Sequence, residues 1–191
     1  MRRDDGTVPP LRSERQQATV DALLDAALTH LRQRGDDGLT VRAVAERAGV
    51  THTTAYAYFD SRDHLIATLY QRQVDAQGTD PIDPDAPVGD RVRAALAGPG
   101  RAARADPPLA RAGLGALFTD EPAVVAVRDA LGADVVARIV AALGPGATPL
   151  AVEALSLAYS GAMLQASMGY LPFGAVVDRL AVLAGALTPG P

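Results

Sequence analysis

The feature that most constrains the fold of this 191-residue chain is a predicted pair of short helices that meet at Gly49. Thr40 predicts the start of the first helix, because its hydroxyl can accept a hydrogen bond from a free backbone N–H. Thr51 predicts the start of the second helix for the same reason. Glycine between them relieves the backbone where the chain reverses. The segment therefore predicts a helix-turn-helix, whose second helix is available to enter the major groove of DNA.

Apolar side chains recur at helical spacing along the rest of the chain, and no strand-like alternation persists. The spacing predicts one helix from about Ser13 to Arg34, before the helix pair in the sequence, and another that follows the pair and begins after Ser61. Later helices are predicted near 88–105, 107–118, 121–143, 149–169 and 172–187. The predicted fold is all-α: an N-terminal three-helix helix-turn-helix domain and a C-terminal helical domain, with about nine helices in total.

Aspartate and proline alternate between Gly78 and Pro87, which predicts a loop and the domain boundary. The predicted organisation has a flexible arm over 1–13, where Arg2, Arg3 and Arg12 are candidate phosphate contacts. A DNA-binding domain follows over 14–78, then a linker over 79–87 and an effector-binding and dimerisation domain over 88–191. Within the last domain, Gly98-Pro99-Gly100 predicts a kink or break, because proline removes one helical hydrogen bond.

Composition narrows the class of protein. The formal net charge is −4, divided as −1 over residues 1–78 and −3 over the remainder, so bulk charge does not by itself indicate nucleic-acid binding. The absence of cysteine excludes disulfides and thiolate metal sites. The N-terminus lacks the apolar region of a secretory signal. The most apolar stretch, residues 154–171, contains too many polar groups for a membrane span. These features favour a cytoplasmic globular protein with no membrane association.

The segment from Leu39 to Leu65, LTVRAVAERAGVTHTTAYAYFDSRDHL, resembles the DNA-binding domain of the TetR family of bacterial transcriptional regulators. The matching positions are Thr40, Arg42, Ala45, Ala48, Gly49, Val50, Thr51, Tyr56, Tyr58, Phe59, Ser61, Arg62 and Leu65. The resemblance is strong over residues 16–70 and only architectural over 88–187. It implies a homodimer that binds near-palindromic operator DNA and is released by a small-molecule effector.

The resemblance also implies DNA contacts at named residues. Phosphate contacts are expected at Thr40, Thr51, Tyr56, Tyr58 and Arg62. For base reading, Arg42 is expected to reach a guanine edge, and the exposed candidates in the second helix are His52, Thr53, Thr54 and Ala55. Simpler interpretations stay open: the tyrosines as partly buried core, Arg42 as a solvated charge, and the threonines as caps alone. Asp60 departs from the family pattern and adds a negative charge near the expected phosphate path.

The C-terminal body carries candidates for two further surfaces. Effector contacts are expected at Leu96, Leu114, Leu117, Phe118, Tyr159, Met163 and Met168. These helices have few charges on their apolar faces, which indicates a largely apolar effector. Dimer contacts are expected at Leu155, Ala162, Ala166, Val176, Leu180, Leu183 and Leu187, because small and apolar residues on two terminal helices suit a two-fold four-helix contact. Ordinary core is the simpler interpretation of the effector candidates, and some of the dimer candidates must also serve as core.

Other functional classes find less support in the residues. No catalytic motif is present, since Gly113-Leu114-Gly115 lacks a third glycine and Ser160 lacks a nucleophile elbow. Asp60, Asp63 and His64 form a charged first helical turn rather than a metal site, and no cofactor is predicted. Two alternatives to an effector-controlled repressor remain. One is the same DNA-binding module without an effector or as an activator, and the other is a helical protein-interaction module whose helix-turn-helix does not bind DNA.

Overall fold

The computed structural model of the protein describes residues 10–188, with side chains from residue 14 onward. This part of the chain contains no β-strand and confirms the all-α prediction. Its helices are α1 (Pro10–Arg34), α2 (Val41–Ala48), α3 (His52–Tyr56), α4 (Arg62–Asp75), α5 (Val88–Ala105), α6 (Pro107–Ala116), α7 (Pro122–Leu143), α8 (Pro149–Ser167) and α9 (Phe173–Leu187), with a short 3₁₀ turn at Gly144–Gly146 between α7 and α8.

The first three helices form the predicted helix-turn-helix unit. Helix α1 buries one stripe of leucine and alanine side chains, including Leu23, Ala27 and Leu31, and packs against α2 and α4. Helix α2 is strongly amphipathic, and its Val44 and Ala45 are fully buried. Burying these apolar faces supplies most of the stabilisation, because helices as short as α2 and α3 are marginal alone.

Helix α4 belongs to both halves of the molecule. It packs against α1 on one side and against α5, α6 and α7 on the other. Its buried residues therefore spread over about half of the helix circumference, and they are Leu65, Ile66, Ala67, Leu69, Tyr70 and Val74. An apolar face this wide is covered by neighbours from both halves. Residue 78 separates the two predicted domains along the sequence, but the buried residues of both form one continuous hydrophobic core.

The C-terminal body is a bundle built around α5. Helix α5 packs along α9 and α7, α8 packs against α9, α7 and α6, and α6 lies across α4. Glycines permit the closest approaches: a Cβ on Gly113 of α6 would lie 2.5 Å from the Cβ of Tyr70 on α4. The predicted spans of the later helices agree with the observed ones to within about two residues at each end, the accuracy expected of helix boundaries.

The predicted break at Pro99 is wrong, because α5 continues from Val88 to Ala105 with proline inside it. Proline removes the N–H that would bond to the carbonyl of residue 95. That carbonyl, on Ala95, instead accepts a hydrogen bond at 3.4 Å from Nη1 of Arg138 on α7. Gly98 lies so close to the Gly78 carbonyl that a Cβ would overlap it. Tertiary contacts thus hold the helix where the local sequence disfavours it.

Three shorter spans differ from prediction. Helix α1 already begins at Pro10, so part of the predicted arm is helical; proline tolerates the first helical position because its N–H is not needed there. Arg2 and Arg3 lie outside the described residues. Helix α3 ends at Tyr56 rather than near Phe59, and a turn follows. Helix α4 ends at Asp75, so the loop before α5 spans 76–87.

The close contact between α6 and α4 predicts the effect of two matched substitutions. Gly113→Ala should lower the free energy of unfolding by about 1–3 kcal/mol, because the added methyl overlaps Tyr70 and forces the helices apart. The control is Gly115→Ala in the same helix, where a Cβ meets no atom within 4 Å. It should leave stability unchanged or raise it by up to about 1 kcal/mol. Urea unfolding followed by circular dichroism measures both, and equal stabilities would contradict the packing described.

Candidate DNA interface and effector cavity

The turn between α2 and α3 is set by local hydrogen bonds. Thr40 accepts from the Ala43 N–H at 3.1 Å, and Thr51 accepts from the Thr54 N–H at 3.1 Å. Gly49 has φ of +70°, in the left-handed region that favours glycine. The N–H of Val50 donates to the Ala45 carbonyl at 3.0 Å, which closes the end of α2. These bonds set the local turn that leads from α2 into α3.

Most predicted DNA contacts lie on the outer face of this unit. Thr40, Arg42, Thr51, His52, Thr53 and Tyr56 are exposed, while Thr54 and Tyr58 are partly buried. Thr54 shares a hydroxyl–hydroxyl hydrogen bond of 2.8 Å with Thr51. Ala55 is fully buried, so its assignment as an exposed base-reading candidate is wrong. Its methyl group belongs to the face of α3 that packs inward.

The two predicted arginine contacts differ in their electrostatic surroundings. Arg42 is exposed, and its guanidinium makes no ion pair with any carboxylate in residues 14–188. Arg62 is partly buried and donates to both Asp36 and Asp63. Its charge is therefore largely compensated, whereas the charge of Arg42 is available to an anionic or acceptor partner.

A cavity of about 680 Å³ lies in the C-terminal body, within the roughly 300–1,000 Å³ typical of small-molecule sites. Five predicted effector residues line it: Leu114, Leu117, Phe118, Tyr159 and Met163. Leu96 does not, because it is fully buried in the core. Met168 does not either, because it is exposed at the end of α8. Phe118, Val136, Leu157 and Leu164 line the cavity and are also exposed, so they mark its opening.

The cavity wall also contains residues that sequence reasoning missed. Tyr70 and Val74 come from α4, Pro99 from α5, and Arg128, Leu131, Asp134 and Val135 from α7. The helical spacing of these residues was visible in the sequence, but the same spacing describes core residues and lining residues alike. Tyr70 matters most, because α4 also begins directly after the DNA-binding unit.

The polar groups of the cavity fall into two kinds. Some are bonded within the protein: Asp134 pairs with Arg138 at 2.5 Å, and Nη1 of Arg128 donates to the carbonyls of Leu117 at 3.1 Å and Thr119 at 3.3 Å. Tyr70 and Tyr159 differ, because burial raises the pKa of Tyr70 to about 12 and the pKa of Tyr159 well above its ordinary value of 10. Both phenols therefore stay protonated over the physiological range.

Comparison with known proteins decides the family. The model of the tetR family of bacterial regulatory proteins matches residues 23–69. An HTH-type transcriptional regulator from Mycobacterium tuberculosis is 40% identical over 184 residues, which cover 94% of this chain and 84% of the relative. This chain belongs to the TetR family. It is therefore a DNA-binding transcriptional regulator, and the alternative of a protein-interaction module without DNA binding is not favoured.

Two further similarities agree with the TetR assignment. The HTH-type transcriptional repressor KstR of Rhodococcus jostii is 32% identical over 125 residues, which cover 64% of this chain and 58% of the relative. The crystal structure of a TetR transcriptional regulator from Rhodococcus sp. RHA1 shares the fold with a TM-score of 0.72, at 20% identity, over 92% of this chain and 98% of that one. The C-terminal body thus shares the fold of that TetR regulator.

The predicted dimer residues of this TetR family chain mostly face inward. Leu155, Ala166, Val176 and Leu180 are buried within one protomer, and Ala162, Leu183 and Leu187 pack partly buried against its core. The prediction of these seven as contacts to a second copy is therefore wrong for the four that are fully covered. Helices α8 and α9 carry apolar residues on two faces, and the outward face instead presents Leu150, Leu157, Leu164, Met168 and Val182.

Among the described residues, no group of three or more histidine and acidic side chains could hold a metal ion. No helix there is long and apolar enough to cross a bilayer. His64 contacts the Phe59 ring edge-on, with ring centroids 5.4 Å apart, and its Nδ1 accepts from the Asp60 N–H at 3.3 Å. These contacts give the Asp60–His64 turn a structural role.

The buried Tyr70 phenol predicts a loss of stability in alkali. In the unfolded chain the phenol has a pKa near 10.0, and in the folded protein near 12. Above pH 10 the unfolded state therefore releases the proton first, and unfolding becomes easier by about 1.4 kcal/mol per pH unit until the folded pKa is reached. Below pH 10 this contribution to stability is fully present.

The test compares urea unfolding of the wild type with that of Tyr70→Phe from about pH 9 to about pH 11.5. The Phe variant should show a shallower alkaline decline, because it lacks the buried phenol. Tyr170→Phe removes an exposed phenol and should keep the wild-type slope. If Tyr70→Phe and Tyr170→Phe decline alike, the burial assigned to Tyr70 is incorrect.

Proposed function

We propose that this chain is a repressor that binds operator DNA as a homodimer and is released by a small, largely apolar effector. The single observation that carries the proposal is the position of α4. Tyr70 and Val74 of this helix line the cavity, while its first residues follow the helix-turn-helix directly. The similarity to a named repressor supports the sign of regulation. As a chromosomal DNA-binding protein it would act in the cytoplasm.

Phosphate contacts are proposed for Thr40, Thr51, Tyr56, Tyr58 and Arg62. The caps at Thr40 and Thr51 place their hydroxyls beside free backbone N–H groups at helix starts, which attract phosphate. Tyr56 projects from α3 with an exposed phenol, whereas Tyr58 is partly buried and packs against the hydrophobic core. Arg62 would have to share its charge between phosphate and the two aspartates that it already contacts, so its contribution should be smaller than that of an unpaired arginine.

Base reading is proposed for Arg42 with His52, Thr53 and Thr54. Arg42 is exposed and lacks an ion-pair partner among the described residues, and arginine recognises the O6 and N7 acceptors of guanine. His52 and Thr53 are exposed in the first turn of α3. They suit single hydrogen bonds and contact with thymine methyl groups. Thr54, whose hydroxyl bonds to Thr51, offers mainly its methyl group.

The homodimer is proposed to form through the outward face of α8 and α9, defined by Leu150, Leu157, Leu164, Met168 and Val182. Leu150, Leu157 and Leu164 of α8 and its C-cap Met168 are spaced by seven, seven and four positions, so they lie along one side of the helix. Exposed apolar residues that line up in this way mark an association surface. A two-fold dimer would set two α3 helices about 34–36 Å apart, one helical turn of DNA.

Effector action is proposed to proceed through α4. A ligand in the cavity contacts Tyr70 and Val74, and any movement of this helix carries the DNA-binding unit with it. Release from the operator requires that the effector bind more tightly to the conformation with displaced α3 helices than to the DNA-bound one. A difference in affinity of about 10⁴-fold would convert an almost fully bound population into an almost fully released one.

The function is tested first by selecting bound fragments from genomic DNA and measuring affinity for the resulting operator. Arg42→Ala should weaken binding by about 1–3 kcal/mol and relax the preference at one G·C position. The matched control is Arg111→Ala, an exposed arginine on α6, which should bind as the wild type does. A uniform loss over all sequences would assign Arg42 to phosphate, and failure to select any operator would refute the repressor proposal.

The dimer surface is tested by Leu157→Arg. This change places a charge at the centre of the outward α8 face and should convert the dimer to monomer in light scattering after gel filtration, because a buried unpaired charge is strongly unfavourable. Operator affinity should fall with it. Val140→Arg introduces the same charge at a partly exposed position on α7 and should remain dimeric. A dimeric Leu157→Arg protein would show that another surface pairs the protomers.

A further inference from the structure

Two phenols line the cavity without a hydrogen-bond partner among the described residues. Tyr70 of α4 is 4% exposed, and the partly buried Tyr159 of α8 shares the cavity wall with it. No side chain or backbone group in residues 14–188 makes a hydrogen bond to either hydroxyl, and neither hydroxyl oxygen is sealed off within the packed interior. Both hydroxyls are therefore accessible from the cavity and can bond to what fills it.

Most of the other polar groups of the cavity are bonded within the protein, and the exception is the exposed Ser160, whose hydroxyl makes no hydrogen bond within residues 14–188. Asp134 is paired with Arg138, and Ser156 donates to the Val152 carbonyl at 2.7 Å. Arg128 holds the carbonyls at the end of α6, close to the opening at Phe118. The two tyrosine hydroxyls can therefore donate hydrogen bonds to a ligand, because no charged group among the described residues bonds to them. The rest of the wall is dominated by leucine, valine and methionine side chains.

A charged ligand group at the tyrosine pair would be poorly solvated. An anion there would lose its water in an apolar enclosure, and the Arg138 guanidinium and the Asp134 carboxylate, which form an ion pair, act on it in opposite directions. A cation would find no carboxylate free of Arg138. A neutral oxygen meets neither penalty, because phenol donors can bond to a carbonyl or hydroxyl oxygen without moving a net charge out of water.

We infer that the effector is a neutral amphipathic molecule whose hydroxyl or ketone oxygen hydrogen bonds to Tyr70 and Tyr159 and whose apolar body fills the rest of the cavity. This inference rests on the proposed function, since it names the ligand class of the same cavity. Tyr70 lies on α4, so the oxygen is recognised on the helix that leads to the DNA-binding unit. Ligand oxygen chemistry and operator release are thereby linked through one side chain.

The test uses three probes with one ring system: 2-acetylnaphthalene, its hydrocarbon analogue 2-isopropylnaphthalene, and 2-naphthoate. Equilibrium dialysis against the full-length protein measures each affinity. The ketone should bind about 5- to 20-fold more tightly than the hydrocarbon, as expected for one or two neutral hydrogen bonds. The carboxylate should bind more weakly than the ketone. Equal binding of ketone and hydrocarbon, preferential binding of the carboxylate, or no binding of any probe overturns the inference.

Variants separate hydrogen bonding from packing. Tyr70→Phe and Tyr159→Phe should each weaken ketone binding about 5- to 10-fold and leave hydrocarbon binding within about twofold. Tyr170→Phe removes an exposed phenol outside the cavity and should change neither. A parallel loss for ketone and hydrocarbon would assign the tyrosines to packing alone. If a variant fails to fold, the ranking of the three probes on the wild type still decides.

Operator binding is measured on the same wild-type preparation without any probe. A protein that binds its operator but shows no preference for the ketone refutes only the ligand class. A protein that binds no operator refutes the proposed repressor function, whichever probe it prefers. The two failures are therefore distinguishable.

Discussion

The burial of α4 between the two halves of the molecule is the constraint on which the rest of this structure depends. Leu65, Ile66 and Leu69 are fully buried, and the helix packs against α1 as well as α5, α6 and α7. Burial of these α4 side chains therefore stabilises both halves of the molecule through the hydrophobic effect. Because interiors are close-packed and deform poorly, displacement of one end of α4 must be shared by its neighbours. A ligand that contacts Tyr70 can therefore influence the position of α3 through α4.

The DNA-binding face depends on a different kind of interaction. Its orientation comes from the caps at Thr40 and Thr51 and from the left-handed Gly49, all within a dozen residues. A net charge of −4 is compatible with the DNA-binding surface proposed above, because Arg42 on that surface is exposed without an ion pair in the described chain. Bulk charge is a poor guide when the footprint is this local.

The C-terminal body combines tight packing with an open cavity. Small residues such as Gly98 and Gly113 let the helices approach closely, whereas the space between α7 and α8 stays wide enough for a small molecule. The polar features of that space are few, which makes the two phenols conspicuous. Leu157 and Leu164 line the opening of the cavity and also belong to the proposed dimer face. Ligand entry and protomer pairing consequently involve adjoining surfaces of α8.

The sequence by itself determined the features that depend on neighbouring residues. The caps, the glycine turn, most of the helix spans and the family could be predicted, because each of these signals lies within a few positions along the chain. Thr51 and Gly49 illustrate this, because the helix cap and the turn that they form involve only residues a few positions away.

Only the tertiary structure decided which way the apolar residues face. Leu155 and Leu157 lie on one helix with similar hydrophobicity, yet the first is core and the second is exposed. Tyr70 became a cavity residue, and Pro99 stayed helical, because Arg138 reached the carbonyl that proline left unbonded. Such outcomes depend on contacts between residues far apart in the sequence, as the Arg138–Ala95 separation of 43 positions illustrates. Helical periodicity identifies apolar stripes, but it carries no information about which partner will cover them.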